Sequence, residues 1–204
     1  GTFIDSEIVL TGLSDSHNLQ WGDYDNDGDP DLFIGGMDIN NDLNNIIYRN
    51  DDGLFTDIQA GLTGSTFGSA TWGDYGHDND LDILIAGNSS PGFSQTHVYK
   101  NESGIFSPVI HTLPSIFFGS ASWADYEQDN DLDIIITGYD NKKAATTLQL
   151  WDNTLDPNRP PSDILLDHKE VNQSEGLTAL VGSLTATDPD ANNTHNFTLR
   201  ISEE

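Results

Sequence analysis

The feature that most restricts how this chain can fold is a stretch that occurs three times at a fixed interval. It reads WGDYDNDGDPDLFIGG at residues 21–36, WGDYGHDNDLDILIAG at 72–87 and WADYEQDNDLDIIITG at 123–138. Trp21, Trp72 and Trp123 recur every 51 residues (72 − 21 and 123 − 72). The register extends beyond the stretch: Tyr48 matches Tyr99, Asn50 matches Asn101, and Gly53-x-Phe55 matches Gly104-x-Phe106. A period of this length, with no Pro- or Gly-rich linker between copies, marks a repeat architecture in which no unit buries a core alone.

Each unit offers four short strands. The first ends at the Trp, as in Gly68 to Trp72, and the second follows the acidic loop, as in Asp82 to Ala86. The third is Thr96 to Lys100, and the fourth starts near Phe106. Gly, Asn, Asp and Ser clusters separate them, as turns require. The second strand is almost continuously apolar, which predicts burial on both faces. By the match of Phe3 to Phe55 and Phe106, residues 1 to about 16 read as the last strand of a preceding unit. No long amphipathic helix is evident. Four strands per repeat, with the inner ones covered on both faces, describe the blade of a β-propeller. The expected fold class is therefore all-β: a partial β-propeller of three four-stranded blades over residues 1–153, a Pro-rich linker at 154–161, and a truncated β-sandwich over 162–204.

The loops between the first two strands carry the chemistry. In the first, Asp23, Asp25, Asp27, Asp29 and Asp31 alternate. Carboxylates that close strongly resist joint ionisation unless something neutralises them. Oxygen ligands at loop positions 1, 3, 5, 7 and 9, with a turn-forming Gly at position 6, suit a hard cation taking 6–8 oxygens, which points to Ca²⁺. Gly28 holds position 6; Asp29 is expected to ligate through its backbone carbonyl and the other four through carboxylates. The second loop offers Asp74, Asp78, Asp80 and Asp82, but Gly76 stands at position 3, leaving Asp74, Asp78 and Asp82 as the carboxylate ligands; Asn79 holds position 6. The third offers Asp125, Glu127, Asp129, Asp131 and Asp133, with Asn130 at position 6. Fewer charges in the second loop and the longer Glu127 in the third predict weaker binding there than in the first.

With 34 acidic residues against 7 basic ones the formal net charge is −27. Nucleic acid and insertion into membrane are thereby excluded as expected partners, since the first needs a basic footprint and no apolar stretch approaches a span of about 20 residues. The absence of Cys removes disulfides and thiolate metal sites. The three Trp, placed before each loop, are expected to pack between units rather than to stack on sugars. His77 and His97 lie near acidic residues, yet no partner recurs with them, so turn or surface roles are expected. No G-x-S-x-G, phosphate loop or H-E-x-x-H is present.

The D-x-D-x-D-G-D-x-D loop, the apolar strand after it, the Y-[RK]-N triplets at Tyr48–Asn50 and Tyr99–Asn101 and the G-x-F turns together resemble FG-GAP/VCBS-type repeats, the calcium-binding propeller blades of integrin α-subunits and of many large secreted bacterial proteins. The resemblance covers roughly residues 1–153. It implies a propeller whose loop between the first two strands of each blade holds Ca²⁺. Because three units cannot close a ring of ~4–8 blades, it also implies further blades upstream of Gly1. The third unit departs at its end, with Leu150-Trp151-Asp152 in place of the Y-[RK]-N triplet and no G-x-F turn.

After the joint Asp156-Pro-Asn-Arg-Pro-Pro161, the order PPSDILL, Val171, Glu175 and VGSLTATDPD resembles the opening half of a cadherin-like sandwich. In that family a Glu like Glu175 and a pair like Asp188 and Asp190 join junctional calcium sites; of the linker's usual acidic run only Asp156 and Asn158 are present. The expected function is a calcium-stiffened extracellular scaffold, secreted or on the cell surface, for adhesion or for binding a protein or carbohydrate ligand at a propeller rim. It is expected to be non-catalytic in this stretch. The competing expectation is the accessory propeller of a secreted polysaccharide lyase, hydrolase or phospholipase whose catalytic domain lies elsewhere.

Overall fold

A computed structural model describes residues 1–90, 93–129, 131–153, 163–166 and 184–187. The chain divides into two compact units, residues 1–153 and 154–204. Every regular element described is a β-strand, and every pairing is antiparallel.

In the larger unit the first repeat forms a four-stranded meander: β1 (Ser14–Gly22), β2 (Asp31–Met37), β3 (Leu43–Asp51) and β4 (Leu54–Asp57). The second repeats it with β5 (Thr66–Gly73), β6 (Asp82–Ser90), β7 (Phe93–Glu102) and β8 (Ile105–Pro108). The third supplies β9 (Ile116–Ala124), β10 (Asp133–Asp140) and β11 (Ala145–Trp151). It touches the second sheet through one pairing, Gln95 with Ile116, which joins the two into a seven-stranded sheet. First strands of successive units lie side by side, β1 against β5 and β5 against β9. The sheets do not close into a ring among the described residues.

One expectation needs correction here. Residues 1–13 form no strand, and Phe3 and Ile4 are exposed; the first strand begins at Ser14. The fourth strands β4 and β8 each pair with the third strand of their own unit. The third repeat shows three strands among the described residues, and the place of its fourth, after Asn153, lies outside them.

The core lies between units, as the repeat logic requires. Alternation along β6 explains its continuous apolar run. Ile83 and Ile85 face the first repeat, in a cluster with Tyr24, Phe33, Ile47 and Tyr99. Leu84 and Ala86 face the third, with Val98, Ile116, Ala121 and Ile136. The run in β10 is covered on one side among the described residues, since Ile135 and Tyr139 are exposed.

The Trp residues pack as expected where a preceding unit is present. Trp72 stacks on Tyr24 with ring centroids 6.5 Å apart and meets Phe33 edge-on at 6.4 Å. Trp123 stacks on Tyr75 at 5.8 Å and donates its Nε1 hydrogen to the Thr71 carbonyl at 3.3 Å. Trp21 is 56 % exposed. Gly22 and Gly73 make the seats for the two packed rings: a Cβ on Gly22 would stand 2.7 Å from Trp72, and one on Gly73 2.6 Å from Trp123.

The third strand of the third repeat is shifted by one residue. Leu32 pairs with Tyr48 and Ile83 with Tyr99, but Ile134 pairs with Trp151 rather than Leu150. Trp151-Asp152-Asn153 is thus the structural counterpart of Tyr48-Arg49-Asn50 and Tyr99-Lys100-Asn101. Counting by the 51-residue period misaligns the triplet because the period fixes the Trp and the loop, whereas strand pairing fixes the third strand.

In the smaller unit, β12 (Asp163–Leu166) pairs with β13 (Leu184–Thr187). Asp156, Asn158, Val171, Glu175, Asp188 and Asp190 lie outside the described residues, and so does most of the expected sandwich.

Candidate metal centre

All three acidic loops join the first strand of a unit to its second, and each is shaped by Asp side chains accepting hydrogen bonds from its own backbone. In the first, Asp23 accepts from the N–H groups of Asp27 and Gly28, both at 3.1 Å, and Asp27 accepts from Asp29 N–H at 2.8 Å. Asp74 repeats this with Asp78 and Asn79, and Asp125 with Asp129. Position 6 adopts the left-handed backbone foreseen for it, φ +96° at Gly28 and +68° at Asn79; Asn130 lies outside the described residues. Position 4 is left-handed as well, in Asn26, His77 and Gln128, a demand that the residue types did not signal.

The ninth residue of each loop is built differently from the rest. Asp31 is completely buried; its Oδ2 accepts from Tyr24 N–H at 3.0 Å and its Oδ1 from Asn50 N–H at 2.8 Å. Asp82 accepts from Tyr75 at 2.8 Å, Gly76 at 3.2 Å and Asn101 at 2.7 Å. Asp133 accepts from Tyr126 at 3.2 Å and Asn153 at 3.0 Å. Each therefore ties the start of its loop to the end of the third strand. Burial pushes the Asp31 and Asp82 carboxyls above their ordinary range, against the lowering pull of those N–H bonds. Asp29 and Asp80 at position 7 reach the next turn, accepting from Asp52 N–H at 2.8 Å and Ser103 N–H at 2.9 Å. Asp131, at the same position, is fully buried.

The carboxylates of Asp23, Asp25 and Asp27 converge, each offering an oxygen within 4.8 Å of the others. The Asp25 Oδ1 is buried and has no hydrogen-bond partner. Burial first, then the charges of Asp27 and Asp23, push its carboxyl above the usual value. Arg49, the unit's cationic side chain, points its Nη2 and Nε at Asp51 Oδ2, at 2.9 and 3.0 Å. A trio of crowded carboxylates with one orphaned buried oxygen is what a divalent cation would stabilise. The residues present fit a hard divalent cation such as calcium, which Asp23, Asp25 and Asp27 would hold.

The other two loops diverge. In the second, Gly76 leaves position 3 without a carboxylate, and Lys100 reaches in: its Nζ stands 3.3 Å from Asp78 Oδ2. In the third, Glu127 and Asp133 converge with Asp152, again within 4.8 Å of one another. Asp152 was missed as a site residue because the one-residue shift of β11 hides its equivalence to Arg49 and Lys100. Asp129 and Asp125 shape this loop but stand outside that trio.

His77 lies exposed in the second acidic loop, as expected, whereas His97 is half-buried on β7 rather than in a turn. Burial lowers the His97 imidazole below its ordinary value; it packs 5.7 Å from Tyr99 and 6.5 Å from His111, whose value burial and His97 also lower.

Comparison with known families now bears on these loops. Residues 23–85 match the FG-GAP-like repeat family, from the first Asp of the first loop to the middle of β6. This segment is similar to an FG-GAP-like repeat. The match takes in the first two acidic loops, the β2–β4 meander and the packed Trp72. No curated protein and no solved structure matches the chain. FG-GAP repeats are typically extracellular, and no helix among the described residues is long and apolar enough to cross a membrane.

Proposed function

We propose that this chain is a calcium-stabilised extracellular scaffold in which the FG-GAP-like units act as propeller blades and present a rim to a protein or carbohydrate ligand. The observation that carries this reading is the convergence of Asp23, Asp25 and Asp27 around the partnerless buried Asp25 Oδ1. Such a trio repels itself unless a cation joins it, so ion binding is coupled to ordering of the loop. The Asp ladder below it is committed to backbone N–H groups rather than to an open cleft, which supports a structural role for the acidic residues and a non-catalytic one for the stretch. The net charge of −27 favours neutral or cationic partners over nucleic acid.

Ligand contact fits the rim away from the acidic loops, at the starts of the first strands. There Phe67 and Phe118, equivalent residues of adjacent units with φ of +51° and +47°, bring their rings within 5.4 Å, and Phe118 is well exposed. Adhesion through that rim is the biological role proposed, with a cadherin-like module following.

The test is calcium titration by calorimetry, paired with thermal unfolding in Ca²⁺ and in chelator. An ion held at 100 times its Kd adds about 2.7 kcal/mol to native-state stability, roughly 5–10 °C in melting temperature for a unit of this size. Asp27→Ala should abolish one binding event. If no calcium binds and chelator leaves the melting point unchanged, the reading is wrong.

A further inference from the structure

The three loops share a frame but not a charge balance, and the difference traces to one register position of the third strand. That position faces the acidic loop and holds Arg49 in the first unit, Lys100 in the second and Asp152 in the third. Arg49 turns to Asp51 and leaves the carboxylate trio to itself. Asp152 adds a third carboxylate to Glu127 and Asp133. Lys100 does the opposite.

The space beside Gly76 belongs to Lys100. A Cβ on Gly76 would stand 3.1 Å from Lys100 Cε, so the lysine stem lies where a carboxylate at loop position 3 would begin. Its Nζ is 3.3 Å from Asp78 Oδ2 and 3.3 Å from Glu102 Oε1. The remaining carboxylates make the same loop hydrogen bonds as their counterparts in the first loop, so the Lys100 contact and the missing acid at Gly76 are what set this loop apart. Asp74 accepts two loop N–H groups; Asp78 Oδ1 accepts from Asp80 N–H at 3.2 Å; Asp80 accepts from Asn26 Nδ2 at 3.1 Å and from Ser103; and Asp82 holds three backbone donors. A calcium ion needs 6–8 oxygens at 2.3–2.6 Å. At Asp78 it would compete for the oxygen that meets the ammonium, and two cations that close repel.

We infer that Lys100 is the built-in cation of the second loop, and that this loop takes no calcium. The loss of an acid at Gly76 and the presence of a base at Lys100 are two halves of one arrangement: the lysine fills the volume, supplies the positive charge and closes the loop without an ion. The inference rests on the calcium reading of the first loop only for its contrast. It divides the units of the chain into ion-dependent and ion-independent ones, with the self-closed unit in the middle.

The experiment counts calcium ions bound by the full chain, using CaCl₂ titration calorimetry on wild type, Asp27→Asn, Asp78→Asn and the double variant Gly76→Asp/Lys100→Met, with circular dichroism melts alongside. Asp78→Asn should leave the number of bound ions unchanged, Asp27→Asn should lower it by one, and the double variant should raise it by one. Loss of an ion in Asp78→Asn overturns the inference, and so does a folded double variant that binds no more than wild type. Should the double variant fail to fold, Asp78→Asn alone decides. If wild type binds no ion while the double variant binds one, the assignment of Lys100 stands and the calcium reading of the first loop falls.

Discussion

Asp82→Asn separates what the acidic residues do for the fold from what they do for an ion. The carboxylate is completely buried and receives three backbone N–H groups, from Tyr75, Gly76 and Asn101. An amide of the same shape has one oxygen to offer. With its oxygen toward Asn101, its NH₂ faces the donors of Tyr75 and Gly76; turned over, it faces that of Asn101. Either way at least one buried N–H meets another donor, and each donor left unsatisfied costs about 1–3 kcal/mol. The amide escapes the desolvation that raises the Asp82 carboxyl, which returns part of the loss. The net cost is about 2–3 kcal/mol, and Asp82→Ala, which orphans all three donors, should cost more, about 3–5 kcal/mol. In a unit of this size the amide variant should melt ~5–10 °C lower. Urea or thermal unfolding, run in 1 mM EDTA and again in calcium, measures it. Because the argument uses backbone donors only, the loss should be the same in both buffers. A destabilisation seen in calcium and absent in EDTA would refute the reasoning, since Asp82 would then be acting through a metal.

Further outcomes follow from the packing and the titrating groups. Trp72→Ala removes a ring wedged against Tyr24, Phe33 and Phe106 and should cost about 3–5 kcal/mol, whereas Trp21→Ala, at an exposed ring, should cost under about 1 kcal/mol; equal losses in chemical denaturation would contradict packing between units. Gly68→Ala should destabilise strongly, because its Cβ would overlap the backbone carbonyl of Ala86; an unchanged melting point would show that the shift in β5–β6 register between Thr66 and Ser69 relaxes freely. His97 and His111 have folded values below the unfolded one, so their contribution is present above an unfolded pKa of about 6.5 and lost as pH falls through the lower folded values. His97→Gln should therefore lose less melting temperature than wild type between pH 7.5 and 5, and equal losses in the two proteins would contradict a buried neutral His97.

How much of this was legible in the sequence depends on which force set each feature. The Trp–loop–apolar-strand register was readable because sequence periodicity and burial coincide there: Ile83 to Ala86 alternate between two neighbours, and only a continuous apolar run satisfies both. Gly28 was readable because left-handed backbone restricts residue type. Asp152 was not, since its place follows from a one-residue shift in pairing between β10 and β11 that leaves no mark on the 51-residue count. Nor was Lys100, because a lone basic residue on a strand reads as solvated until the glycine opposite it is known to leave a hole. The strand expected over residues 1–16 starts only at Ser14, because strand formation follows pairing, which Phe3 alone could not reveal.

These differences fall along a line that runs through every unit. Asp31, Asp82 and Asp133 lie at the base of their loops, buried, and each answers to backbone donors that any side-chain exchange nearby leaves in place. Charges at positions 3 and 5, and on the third strand opposite them, lie at the mouth and face one another across it. The Asp23, Asp25 and Asp27 trio with Arg49 turned away, Gly76 with Lys100, and Glu127 with Asp152 are three arrangements of the same local frame. A base that is charge-insensitive permits a mouth that varies. The cost of losing a carboxylate at position 3 is then electrostatic and local, and a single lysine offsets it, whereas no substitution at position 9 has a comparable compensation because two or three backbone donors need one acceptor of carboxylate shape. Paired substitutions at the mouth should accordingly be tolerated, while single substitutions at the base should not.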